Sequence, residues 1–210
     1  MQILFNDPER DSVLKEFAQI DCFKEIETER SIFCKSWWTY QYAVFLKNTH
    51  LTMNVSLDQE NTDLTFFVFS PLQSDFNSLS LIADIQASNV ELHIVFISLQ
   101  GNDANLKMNG DIVVNPHVSD VKASLLEEIY LLGSDTHSFV SPSLHIASHN
   151  VKTSHGAKIQ RIPDEQMFYF ESRGISELNA KKMLVTSYSE YILQRFSLSE
   201  QEKKQIYSFF

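Results

Sequence analysis

The sequence predicts a mostly β body that hands over to a helical tail. Between residues 31 and 98 apolar side chains recur with a period of two, as in Leu51, Met53, Val55 and Leu57 against Thr52, Asn54 and Ser56. That is the pattern of a half-buried strand. After Pro163 the spacing becomes that of amphipathic helices, with Ala180, Met183, Leu184, Tyr188, Tyr191 and Ile192 in one wide apolar stripe. Many short strands at near-even spacing fit a sandwich, a barrel or a β-solenoid. Spacing alone leaves all three open.

The chain begins with a helix signal. Asp7 can cap, Pro8 fits the first helical position, Glu9 faces the positive dipole end, and Val13, Leu14, Phe17 and Ala18 share one face. A helix is expected over about residues 8–20, and helix or loop for the acidic segment up to Arg30. Strands then fit Tyr42–Leu46, Leu51–Leu57, Leu64–Phe69, Leu79–Ile85 and Val90–Phe96, followed by Leu106–Val114, Ala123–Leu132 and Leu144–Val151. Asp, Asn, Ser and Gly separate them, as in Gly101-Asn102-Asp103. In the tail, Asp164 caps a helix carrying Met167, Phe168 and Phe170 that stops at Gly174. Ser176 opens a second helix, and Ser199 with Glu202 makes a capping box before a third. The expected division is a helical segment over 1–30, a β core over 31–160 and a helical region over 161–210.

At 210 residues the chain can bury a sizeable core. Seventeen basic against twenty-seven acidic residues give a net charge of −10, which argues against a nucleic-acid surface of clustered Lys and Arg. Two cysteines, Cys22 and Cys34, are too few for a disulfide framework and read as a reducing compartment. The start MQILFNDPERD carries no basic and apolar leader pattern, and no run of eighteen apolar residues occurs. The expectation is a cytoplasmic protein with no membrane and no nucleic-acid partner.

Three histidines fall between Leu144 and Gly156. His145 and His149 are four apart, but in a strand-like segment with parity opposite to Leu144 and Ile146, so they are expected to face outward as surface residues rather than a metal pair. His155 shares its parity with Val151, Thr153, Ala157 and Ile159, so its imidazole projects from an otherwise apolar face. Such a histidine is a packing residue or a ligand for iron or zinc. Cys34, just before Trp37-Trp38, is expected to be buried as a small hydrophobe. No nucleophile turn and no glycine-rich phosphate loop is present, and the carboxylates Asp58, Glu60, Glu127 and Glu128 read as ordinary solvated charge. No hydrolase pattern emerges, and carboxylates clustered as a carbohydrate-active site needs are not seen.

From Val151 the residue identities become specific. VKTSHGAKI, then PDEQMFYFESRGIS, then AKKMLV resemble the C-terminal region of the SufB/SufD family, scaffold proteins of iron–sulfur cluster assembly. NGDIVVNP and LLEEIYLLG upstream resemble the turns that precede it, so the resemblance covers about residues 105–195. The Ser-His-Gly form of Ser154-His155-Gly156 is similar to the SufD branch, where the SufB branch has a His-Glu-Ala pattern.

The resemblance implies a right-handed parallel β-helix flanked by helical termini, and a non-enzymatic scaffold role. It implies a SufB-like partner paired edge to edge along Val151, Thr153, His155 and Ala157. It also implies a SufC-like ABC ATPase held by the C-terminal helices, with Phe168, Tyr169, Arg173 and Gly174 as its contacts. His155 falls at the family's candidate iron or cluster ligand, which implies no stably bound cofactor but a transient iron or iron–sulfur cluster. This chain departs from the pattern at Thr153, where the family carries Cys, and it is shorter than family members. A homodimeric β-helix interaction module without a cluster role is the alternative expectation.

Overall fold

The computed structural model describes residues 2–5, 16–24, 27–34, 39–73, 76–196 and 198–208. The described strands are β1 (Gln2–Phe5), β2 (Glu16–Lys24), β3 (Glu27–Phe33), β4 (Thr39–Lys47), β5 (His50–Leu57) and β6 (Thr62–Gln73). They continue with β7 (Phe76–Ile85), β8 (Val90–Gln100), β9 (Asn105–Val114), β10 (Val121–Leu131), β11 (His137–Ile146) and β12 (Val151–Arg161). Helices α1 (Asp164–Ser172), α2 (Glu177–Leu193) and α3 (Glu200–Tyr207) follow.

From β2 onward the strands alternate between two sheets. Even-numbered strands form one, in the order β2-β4-β6-β8-β10-β12, with β1 antiparallel on the free side of β2; β3 to β11 form the other in odd-numbered order. Every other pairing is parallel, each strand lying on the one two places ahead in sequence, as Thr62 on Val90, Glu91 on Lys122 and Val121 on Val151. The chain therefore winds as a β-solenoid of about four turns. Hairpin-built sandwiches and barrels pair neighbours antiparallel, so the parallel register removes both alternatives.

Paired residues in a ladder point to the same side, so the inward residues stack into columns along the bore. One column runs Tyr42, Phe66, Ile94, Leu125, with the Tyr42 and Phe66 rings stacked at 5.2 Å. Beside it runs Val44, Val68, Phe96, Glu127. From the opposite sheet, Met53, Leu81, Gly110 and Pro142 form a column of their own. Cys34 joins this core as expected, and burial, then the charge of Asp58, pushes its thiol up to about 12.

The corners repeat because the geometry repeats. The residue before each of β6, β8 and β10 is left-handed, Asn61 at φ 59°, Asn89 at 58° and Asp120 at 56°. A second set, Asn48, Asp103 and Asp135, sits two residues before β5, β9 and β11 with φ of 49°, 57° and 51°. Asn and Asp tolerate this region because their short side chains hydrogen-bond locally. The corners also bond to one another: Asn89 N–H donates to Ser119 O at 3.0 Å, and Asp120 N–H to Asn150 O at 3.0 Å.

α2 covers the outer face of the larger sheet. Its Ile192 and Leu193, with Phe196 and Ile206 beyond, pack on Phe45, Phe67, Phe69, Ile97 and Leu99, and Tyr188 meets Tyr130 at 4.9 Å. This explains why β8 begins with alternating burial and ends buried on both sides. The apolar stripe read from sequence is divided: Ala180 and Ile192 are buried, while Met183 and Tyr191 are exposed.

Three local expectations are corrected. Residues 16–20, expected to end a helix, form part of β2 through parallel pairing with β4; residues 6–15 lie outside the described residues. The segment before Arg30, expected as helix or loop, contributes β3, paired with β5. Leu144–Val151, expected as one strand, is two strands in different sheets, with the corner Ala147–Asn150 between them.

Candidate functional site

The solenoid ends at β11 and β12, each at the edge of its sheet with one side unpaired. Edge strands present a row of free backbone donors and acceptors, and Pro142 inside β11 fits only at such an edge. Because no further turn stacks on them, β12 residues that would be buried in an earlier turn are half-buried or exposed.

Val151, Thr153, His155 and Ala157 pair with Val121, Ala123, Leu125 and Glu127, so all four face the bore. The structure brings this expected group together on one strand face. His155 caps the column Tyr42, Phe66, Ile94, Leu125, and its imidazole lies exposed at the open end. Gly156 faces outward beside Leu126; a Cβ there would meet Leu126 Cδ1 at 3.7 Å, an ordinary contact. Packing within this chain therefore does not demand glycine in the His-Gly-Ala motif.

His145 faces outward as expected, its Nε2 3.5 Å from Asp111 Oδ1, and His149 is exposed in the corner before β12. Neither joins His155. Among the described residues no three His, Cys, Asp or Glu side chains are grouped as a metal would need. Cys22 lies in β2, at the far side of the larger sheet from β12.

Glu127 corrects the sequence reading. Expected as solvated charge, it is fully buried in the bore, and neither carboxylate oxygen has a hydrogen-bond partner among the described residues. Burial, then the charge of Asp111, pushes its carboxyl up to about 7. Gly110 makes the room across the bore, since a Cβ there would lie 2.7 Å from Leu125 Cδ2 and 3.0 Å from Glu127 Oε1. A signal was present in the sequence: Val121, Ala123, Leu125, Glu127 and Ile129 share one parity, and four of the five are apolar. The neighbouring Glu128, which faces out, hid it.

The second expected group lies on α1 and the turn that closes it, Phe168 and Tyr169 in the helix and Arg173 and Gly174 just after it. Its N-cap is Pro163 rather than Asp164, which occupies the first turn with Glu165. No α1 residue is buried; Phe168 is 69% and Tyr169 58% exposed, and the Arg173 guanidinium lies 5.4 Å from the Tyr169 ring centre. The helix closes with Gly174 N–H donating to Glu171 O at 2.8 Å and Ile175 N–H to Phe170 O at 3.0 Å, with Gly174 at φ 76°. This is a Schellman closure, and it gives the Ser-Arg-Gly-Ile motif a structural reason at its glycine. Ser176 and Ser199 cap α2 and α3 as expected, the latter with the full capping box. No described helix is long and apolar enough to cross a membrane.

Comparisons with known proteins agree with this architecture. Residues 38–188, from the start of β4 into α2, match the family described as SUF system FeS cluster assembly, SufBD core domain. The chain is 33% identical over 99 residues to the iron–sulfur cluster assembly protein SufD of Escherichia coli, covering 47% of this chain and 23% of that protein. It is 27% identical over 122 residues to the chloroplastic protein ABCI7 of Arabidopsis thaliana, covering 58% and 25%. A SufBD family protein of Synechocystis is 25% identical over 138 residues, covering 60% and 30%. The chain thus spans about a quarter of the length of these relatives. With its match running through the solenoid turns and into the helical tail, the chain belongs to the SufBD core domain family of the SUF system of iron–sulfur cluster assembly.

Proposed function

We propose that this chain acts as a SufD-like, non-catalytic scaffold subunit, pairing with a SufB-like scaffold along β12 and binding a SufC-like ABC ATPase through α1 and the start of α2. The observation that carries the reading is the unpaired edge of β12 at the open end of the solenoid, with Val151, Thr153, His155 and Ala157 on its bore face. A partner solenoid continuing the sheet there would satisfy the edge strand and cover the half-buried last turn. The ATPase contact is supported by α1, whose Phe168 and Tyr169 are largely exposed and belong to neither apolar core cluster.

His155 would offer one donor to transient iron or a cluster, which is cargo on this reading and not a resident cofactor. With Thr153 in the place of a thiolate and no group of three ligands among the described residues, the other donors would come from the partner scaffold or solvent. The test is co-purification with such an ATPase from cells, comparing the chain with Phe168→Ala and Tyr169→Ala. Retention by the unaltered chain and loss by both variants supports the reading; an ATPase never retained overturns it.

A further inference from the structure

Among the described residues, Glu127 is a carboxylate buried in the bore that nothing in the fold uses. Glu127 follows Val44, Val68 and Phe96 in its column, and Ala157 stands above it with only a methyl. An unpaired buried carboxylate is costly, and an apolar side chain of similar volume would serve packing better. Yet the opposing strand makes way for it, through the missing Cβ of Gly110. The fold accommodates this side chain at a cost, which points to use.

The group closest in kind is His155. It faces the same bore, one inward position along β12 from Ala157, and its side chain is exposed at the open end. Strand spacing and rise put the two Cα atoms roughly 8 Å apart on the diagonal. A glutamate and a histidine at that separation can reach one ion from both sides.

We propose that Glu127 and His155 form a half-site for a divalent transition-metal cation at the open end of the bore. The inference rests on His155 being a ligand, as proposed above, and adds the second donor from this chain. A carboxylate oxygen with a neutral imidazole nitrogen suits Fe²⁺, Co²⁺ or Zn²⁺ and not a soft monovalent ion. To bind, the Glu127 side chain turns from beneath Ala157 toward His155. The ion exchanges two waters for the carboxylate and the imidazole, and the carboxyl proton leaves to solvent. Asp111, on the outer face of β9, adds negative charge near Glu127 and favours the bound cation. The remaining positions hold water, or donors from a partner seated on β12.

The experiment titrates the full 210-residue chain, purified anaerobically, with Co²⁺ as the probe, read by visible absorption beside thermal melts. The unaltered chain binds one Co²⁺; Glu127→Gln and His155→Ala each weaken it by about tenfold or more. Glu127→Leu abolishes binding while raising the melting temperature, which a purely structural glutamate would not do. If Glu127→Gln binds like the unaltered chain and only His155→Ala loses Co²⁺, the role of Glu127 is overturned and His155 as a ligand stands. If the unaltered chain shows no Co²⁺ spectrum, the half-site is overturned, while recovery of the protein partners still tests the scaffold reading separately.

Discussion

His155 stands directly over Leu125, paired with it in the parallel ladder between β10 and β12. The imidazole thus belongs to the interior of the solenoid rather than to its outer face, and it is exposed only because the winding stops there. An inward-facing polar group at an uncapped end suits a surface that a second molecule completes.

The columns beneath it make a strong prediction for stability. Phe96 is fully buried between Val68 and Glu127 in its column. Phe96→Ala should cost about 3–5 kcal/mol in chemical denaturation. A loss below about 1 kcal/mol would mean the bore is not packed as described.

The glycines separate fold from function. A Cβ on Gly133 would lie 2.3 Å from Asn102 N and from Gly101 C, backbone atoms that cannot step aside. Gly133→Ala should cost about 2 kcal/mol or more. Gly156→Ala meets only Leu126 at an ordinary distance and should change stability by less than about 0.5 kcal/mol. If Gly156→Ala weakens partner recovery at unchanged stability, the glycine of the His-Gly-Ala motif serves the interface.

Gly174 at φ 76° closes α1 with nothing within 4 Å of its Cβ position. Gly174→Ala should therefore cost about 1 kcal/mol, from backbone strain alone. Differential scanning calorimetry of the two chains checks it.

Glu127 sets the expected pH dependence of the metal-free protein. Its carboxyl is raised from 4.5 to about 7, so between those values the folded state holds a proton that the unfolded state has released. Stability should therefore fall as pH rises from about 4.5 through about 7, by up to about 3 kcal/mol. Glu127→Gln should remove that slope in denaturation curves measured with chelator present. An unchanged slope would mean that Glu127 does not titrate in the bore.

Much of this was legible in the sequence and some was not, for physical reasons. The period of two between residues 31 and 98 marked the strands there, because one face of each lines an apolar bore. It could not show that they pair two apart in parallel, since the stacking partners lie 24 to 31 residues away in turns of unequal length. β2 was hidden by a plausible capping signal at Asp7-Pro8-Glu9 and by the helical spacing of Leu14, Phe17 and Ala18; pairing with β4 overrides that local preference. The corner at Ala147–Asn150 carries neither glycine nor proline, so β11 and β12 read as one run. The motif residues of β12 and α1 were found because their identities, not their periodicity, are distinctive.

If β12 and α1 are partner surfaces of an assembly scaffold, anaerobic recovery of the tagged chain from cells should bring the partners with it, identified by mass spectrometry, with the eluate assayed for iron and sulfide. A SufB-like scaffold and an ABC-type ATPase should appear in the eluate, with iron lost on His155→Ala. Recovery of the chain alone, or only as a dimer with itself, would mean that β12 and α1 serve no such partners.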